Sequence, residues 1–267
     1  MQKTILITGA TDGIGLATAK MLAAKGHHLL IHGRNSGKLN NVVQMLSALP
    51  NAGEIESYVA DLSIMSEVAA LGKAIIEQHN KLDVLINNAG VFKVDNKTTA
   101  EGLDVRFVVN TIAPYLLTKS LMALLGSAGR VINLSSAAQA PVSIKALLGE
   151  IELPDMQAYA QSKLAITMWT RTLGVSLKDT GPVMIAVNPG SMLGSKMVQE
   201  GFGVPGGDLN IGAEILTRVA LEDEFSKANG KYFDNDSGQF AMPHADGMNV
   251  QKSQEVIAAI ERLLAQF

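Results

Sequence analysis

Tyr159 and Lys163 stand four residues apart, and in a helix that spacing stacks two side chains on one face. An ammonium beside a phenol favours the phenolate and draws the tyrosine pKa down from about 10 toward neutrality. Such a pair is suited to general acid/base work on an oxygen that gains or loses a proton. Tyr115 and Lys119 share the spacing, so the motif alone selects nothing. Position separates the two pairs. Tyr115 lies about one turn past Asn110, in a helical stretch that precedes the apolar run 131–134. Tyr159 follows that run and the Ser135-Ser136 pair at its end. The carboxyl ends of strands are where α/β folds bind ligands. We therefore assign Tyr115 to packing and Tyr159 to chemistry; spacing alone does not choose between Ser135 and Ser136.

The elements that must position these groups are legible as a rhythm. Short, nearly continuous apolar runs occur at 5–8, 29–32, 84–87, 131–134 and 184–187, with a weaker one at 54–60. Such runs suit strands buried on both faces. Between them lie helical stripes, including Ile14, Ala17, Met21 and Leu22, then Val42, Val43, Leu46 and Leu49. Leu164, Met168 and Leu173 belong to a helix starting near Asp155. The alternation predicts an α/β fold, a doubly wound (Rossmann) parallel sheet of about seven strands with helices on both faces. No linker, charge block or repeat divides the chain, so 1–267 reads as a single domain. Two stretches interrupt the rhythm: 137–158, which carries Pro141 and Pro154, and the glycine-rich 190–207. Loops this long are commonly functional, and we expect a substrate insertion and a lid.

Thr8-Gly9-Ala10-Thr11-Asp12-Gly13-Ile14-Gly15 follows the first strand and opens the first helix. Glycine there allows a sharp turn and close approach to a pyrophosphate, which the helix N-terminus attracts. Further along come Asn87-Asn88-Ala89-Gly90, Ser135-Ser136, Tyr159-x3-Lys163 and Pro189-Gly190, in that order. Through these five motifs the whole chain resembles a short-chain dehydrogenase/reductase of the one-domain type. The pattern is nearest to the retinol dehydrogenase-like and carbonyl reductase-like branch, to which the 23-residue step from Ser136 to Tyr159 is similar.

The resemblance implies Ser136 as the hydroxyl that bonds the substrate oxygen and Tyr159 as general acid/base. It implies Lys163 as the cation that lowers the tyrosine pKa, and Asn110 as the residue that bends its helix and holds a water against the lysine. For the cofactor it implies Gly9, Thr11, Asp12, Gly13, Ile14 and Gly15, then Asn35, Asp61, Leu62, Asn88, Ala89, Gly90, Pro189 and Gly190, with Tyr159 and Lys163 at the nicotinamide ribose. NAD-preferring members carry a carboxylate after the second strand, for the ribose 2′-hydroxyl. Here Gly33 takes that place and Arg34 follows, a guanidinium that suits a 2′-phosphate, so NADP(H) is expected over NAD(H). Some NADP-binding members also carry a basic residue inside the glycine loop, where this chain has Asp12. The family often has Thr five residues past the proline; here Gly194 stands there, with Ser195 next. The expected reaction is hydride transfer to or from a small carbonyl/alcohol substrate. A nucleotide-sensing regulator without chemistry, or a C=C reductase, are the alternatives. Relatives pair through the Asn110 and Tyr159 helices, so a homodimer or homotetramer is compatible with the pattern.

Composition bounds the remainder. The 267 residues carry 22 Lys plus Arg against 25 Asp plus Glu, a net charge of −3, and no cysteine. That excludes thiol chemistry and thiolate metal sites, and gives no pull toward nucleic acid or anionic membrane. With no signal peptide and no run of about 18 apolar residues, we expect a cytoplasmic protein without a membrane partner. Of the five histidines, His28 and His32 could share a strand face. No carboxylate stands near them in sequence, so we expect no metal site.

Overall fold

The computed structural model describes residues 1–267, the side chain of Phe202 excepted. Seven parallel strands are β1 (Thr4–Ile7), β2 (His28–Gly33), β3 (Ile55–Val59), β4 (Val84–Asn87), β5 (Arg130–Leu134), β6 (Val183–Asn188) and β7 (Lys231–Asp234). The expected seven become eight, because β8 (Gln239–Ala241) folds back antiparallel on β7 and gives the order β3-β2-β1-β4-β5-β6-β7-β8. A three-residue edge strand has too little periodicity to be read from sequence.

Successive strand residues serve opposite layers. Leu6, Leu30, Leu85, Val131 and Met184 face one core, with α3 (Met65–Gln78), α5 (Ala113–Leu125) and α7 (Asp155–Ser176) over it. Ile5, Ile7, Ile31, Ile86 and Val187 face the other, under α1 (Gly13–Ala24), α2 (Ser36–Ser47) and α9 (Leu209–Leu221). Each such aliphatic side chain contributes roughly 1.5–3 kcal/mol on burial, which is why the runs are continuous rather than alternating. The face of α1 against the sheet differs from the expected stripe: Gly15, Thr18, Ala19, Leu22 and Ala23 are buried. Small residues let the helix sit close to the strands, so its inner face is not its most apolar one. Met21 turns instead toward Thr217 of α9.

The chain walks outward from β1 through β2 to β3, then returns to place β4 on the other side of β1. That reversal opens a crevice at the carboxyl ends of β1 and β4, the place where open α/β sheets take ligands.

Residues 105–125 form one continuous helical rod: α4 (Val105–Phe107), a π-helical turn (Val108–Ile112) and α5. Its length and apolarity would suit a bilayer span, but two-thirds of it is buried in this fold. At the end of the chain α10 (Val250–Leu264) packs along α7. Its Glu261 accepts from Tyr115 and from Lys119 Nζ, so that pair is engaged in packing. The outer face of α5 and α7, through which pairing was anticipated, is thus partly covered by the chain's own last helix.

Candidate active site

The glycine loop is held by bonds from three strands. Thr8 Oγ1 accepts the amides of Asn88 and Ala89 at 3.1 Å each. Asn88 Nδ2 returns to Thr8 O at 2.9 Å and Gly9 O at 3.0 Å. A side chain at Gly15 would meet Gly9 O at 2.3 Å and Asn88 Nδ2 at 2.4 Å. Only hydrogen fits there, and the first turn of α1 therefore lies flush against the loop. Asp12 caps that helix, its Oδ1 accepting Gly13 N–H at 2.7 Å. Such a cradle, with free N–H groups at a helix start, fits a pyrophosphate.

His32 completes the loop's support, a role for which the sequence offered no signal beyond a histidine in a strand. It is buried, with Nδ1 3.3 Å from Gly9 N and Nε2 3.0 Å from Ala60 O. Burial holds its imidazole below the ordinary pKa. The neutral ring has one consistent tautomer: Nε2–H donates to Ala60 O and Nδ1 accepts from Gly9 N–H. His32→Leu would leave both groups buried and unpaired, at about 1–3 kcal/mol each. We expect it to weaken dinucleotide binding at least about tenfold, read by cofactor titration of the folded variant. Unchanged affinity would show that the loop needs no such support.

At the far end of the crevice stand Arg34, Asp61 and Leu62. Arg34 Nη1 lies 3.9 Å from Asp61 Oδ2, and its side chain is 67% exposed. Asp61 Oδ1 is occupied by Ser63 N–H and Oγ–H at 2.9 and 2.7 Å. Gly33 stands where a carboxylate would bind a ribose hydroxyl, and a side chain there would meet Thr11 Cγ2 at 2.6 Å. Asn35 does not line the crevice; its Oδ1 caps α2 by accepting Lys38 N–H at 2.9 Å.

The reactive groups meet where α7 passes the π-helical turn. π turns break the regular ladder and recur at functional sites. Asn110 lies in this one, its Oδ1 accepting Val91 N–H at 2.8 Å. Its Nδ2 donates to Val91 O and Ser162 Oγ, each at 3.0 Å. Both amide donors are therefore spent on protein partners. The carboxamide ties the exit of β4 to α7. Of the serine pair, Ser135 is buried and bonded to Thr167 Oγ1 at 2.6 Å. The Ser136 hydroxyl accepts Ala138 N–H at 3.1 Å and acts on the Tyr159 phenol in the sense that lowers its pKa.

Lys163 is buried, its Nζ donating to Leu134 O at 2.8 Å and lying 5.7 Å from the centre of the Tyr159 ring. Burial lowers its pKa to about 8. Burial also raises the Tyr159 phenol above its ordinary value, against the opposing effect of Ser136. The expected direction for the phenol is thus reversed in this setting, because desolvation of a buried phenolate outweighs the neighbouring groups. The resting pair is a neutral phenol beside an ammonium, a proton donor held ready.

Phe92 packs on Tyr159 with ring centres 5.1 Å apart. Val91, Val94, Val109 and Met197 line the same crevice, with Lys93, Lys196 and Glu200 among them. The stretch 190–207 is not wholly a loop: it contains α8 (Lys196–Phe202), capped by Ser195 Oγ. A bridge between Leu193 and Gly207 closes its base. Asp236 fixes its start by accepting Ser191 N–H at 2.7 Å, and Asn235 Nδ2 donates to Pro189 O at 2.9 Å. Ser195 lines the crevice; Ser136 and Gly190 are partly exposed beside it, and Asn110 is buried. The full crevice has a volume of about 420 Å³ and runs from Arg34 past the glycine loop to Tyr159. No residue of 137–158 lines it; that stretch holds α6 (Ile144–Leu147), which packs on α10.

A model of the family described as short chain dehydrogenase matches residues 3–202. Human retinol dehydrogenase 13 is 29% identical over 94% of this chain and 81% of its own. Bovine (Bos taurus) retinol dehydrogenase 12 is 32% identical over 91% and 81%. Among solved structures, an uncharacterized protein from Mycobacterium paratuberculosis superposes with TM-score 0.81 at 25% identity, covering 98% of this chain and 93% of that one. A short chain dehydrogenase from Burkholderia cenocepacia in complex with NADP gives TM-score 0.71 at 25% identity, over 89% and 97%.

Proposed function

We propose that this chain, which belongs to the short-chain dehydrogenase/reductase family, is an NADP(H)-dependent oxidoreductase interconverting a carbonyl and an alcohol on an apolar small molecule. Membership makes it an oxidoreductase that binds a nicotinamide cofactor and acts on small molecules. The phosphate on the cofactor and the substrate class are our reading. The observation that carries it is the convergence of Tyr159 and the buried Lys163 at one end of one crevice, the ammonium 5.7 Å from the phenol ring centre.

When bound, the dinucleotide supplies or accepts the hydride. The amides of Ile14 and Gly15 at the start of α1 would hold its pyrophosphate, and the loop of Gly9, Thr11, Asp12 and Gly13 would enclose it. Arg34 would take the 2′-phosphate, Asp61 and Leu62 would flank the adenine, and Asn88, Ala89 and Gly90 would lie along the nicotinamide half. Pro189 and Gly190 would bound the nicotinamide, while Lys163 and Tyr159 would reach its ribose. The Ser136 hydroxyl and Tyr159 phenol polarise the carbonyl oxygen. Tyr159 gives that oxygen its proton in reduction and removes it in oxidation. Lys163, still cationic at neutral pH, stabilises the phenolate left behind. Val91, Phe92, Val94, Val109 and Met197 exclude water around the reacting carbon and favour an apolar substrate. The retinol in the relatives' names belongs to that class.

A panel of apolar and polar aldehydes and ketones, followed by NADPH oxidation, tests this reading. Turnover should concentrate in long apolar aldehydes and ketones. A preference for charged or sugar-like carbonyls would contradict the substrate class.

A further inference from the structure

At the amino end of the sheet, opposite the crevice, lies a cluster that the proposed reaction does not use. His28 opens β2, and the register pairing Leu29 with Ile55 puts Glu54 and Glu56 on the same face as His28. From His28 to Gly33 at the crevice end is about 16 Å of strand. Glu56 Oε1 is 2.6 Å from His28 Nε2, and Glu54 Oε2 is 4.0 Å from the same nitrogen. His79, which ends α3, brings its Nε2 to 3.5 Å from Glu56 Oε2. The two imidazole rings are centred 5.7 Å apart. The carboxylates that sequence distance hid from His28 are therefore delivered by strand pairing.

We propose that His28, Glu54 and Glu56, with His79 at the margin, form a binding site for a divalent transition-metal ion of the zinc class. The three donor atoms of His28, Glu54 and Glu56 lie within 4.8 Å of one another. Zinc bound at about 2.0–2.2 Å to nitrogen and oxygen in a tetrahedron sets its ligands roughly 3.3–3.5 Å apart. The observed 2.6 and 4.0 Å straddle that spacing, so small side-chain rotations suffice. Among the described residues neither carboxylate has a Lys or Arg partner; their ion-pair partners are these imidazoles alone. The two carboxylates put two negative charges on one face, and a dication balances them.

A supporting shell is also present. The Tyr58 hydroxyl lies 3.2 Å from Glu56 Oε2, 2.8 Å from Gln78 Oε1 and 2.9 Å from His79 Nε2. Outer partners of this kind orient metal ligands. His27 takes no part: its Nδ1 accepts Lys3 N–H. The ion would pin the edge strand β3 to β2 and to the end of α3. The proposal does not depend on the reaction assigned to the crevice.

The test is calorimetric titration of the EDTA-treated full chain with zinc chloride. One ion per chain should bind with a dissociation constant of about 10 µM or tighter, and a hundredfold excess over that constant should raise Tm by about 5 °C. Glu56→Gln, and separately Glu54→Gln at an exposed position, should each weaken binding at least about tenfold. Absence of saturable binding below about 100 µM would overturn the proposal. So would unchanged binding in the Glu54→Gln variant together with unchanged binding in Glu56→Gln.

Discussion

Replacing Tyr159 by Phe should lower kcat by about a thousandfold while leaving dinucleotide affinity within about twofold. The substitution removes one oxygen, the proton donor, and keeps the ring that packs on Phe92. Positioned acid/base groups contribute roughly 10²–10⁴ in rate, and Ser136 alone can polarise the carbonyl but delivers no proton from a phenol. The raised pKa of Tyr159 adds a pH dependence with a definite sign. Carbonyl reduction needs the phenol, which is the form present at neutral pH, so its rate should be flat across neutrality. Alcohol oxidation needs the phenolate, so its rate should rise as the solution becomes alkaline. Steady-state kinetics in both directions, with cofactor titration of the variant, checks both statements. Retention of most turnover in Tyr159→Phe would remove the tyrosine from the mechanism.

The Arg34→Asp exchange should lower the ratio of kcat/KM for NADPH over NADH by at least about a hundredfold. Charge-assisted bonds contribute about 1.5–3 kcal/mol, roughly ten- to 150-fold, and a carboxylate adds repulsion of a phosphate. The side chain is 67% exposed and lightly held by Asp61 at 3.9 Å, so it is free to turn to a phosphate. Position 33 is Gly, and a side chain there would meet the Thr11 methyl at 2.6 Å, so a carboxylate would need Thr11 to turn aside. Equal affinities for NADP(H) and NAD(H) in the unmodified chain would contradict the cofactor assignment.

The parts of the molecule that were legible in the sequence are those governed by local spacing. The i, i+4 relation of Tyr159 and Lys163 and the glycine turn into α1 need only a few consecutive residues. The separation of Tyr115 from Tyr159 also succeeds, because it rests on chain order; Tyr115 is engaged with Glu261 and Trp169. What was not legible depends on contacts between distant elements. His32 gains its role only when β2 lies beside β1 and β3, so that Gly9 and Ala60 reach its two nitrogens. Glu54 and Glu56 meet His28 through the β2–β3 register, which no local pattern encodes. Asn110 was found, but the partners that occupy its carboxamide, Val91 and Ser162, come from two other segments. The phenol's pKa direction was misjudged for the same reason: charge proximity is readable from spacing, whereas burial is a property of the whole fold. Within 190–207 the glycines masked a short helix, because composition speaks for a loop even when Ser195 supplies a cap.

The central claim is hydride transfer to a carbonyl carbon in this crevice. Its most direct measurement is the product formed from an apolar α,β-unsaturated aldehyde with NADPH deuterated at the nicotinamide C4. The prediction is an allylic alcohol carrying one deuterium on its carbinol carbon, lost together with turnover in Tyr159→Phe. Deuterium at the β-carbon of a saturated aldehyde, or no transfer to any carbonyl substrate, would contradict it.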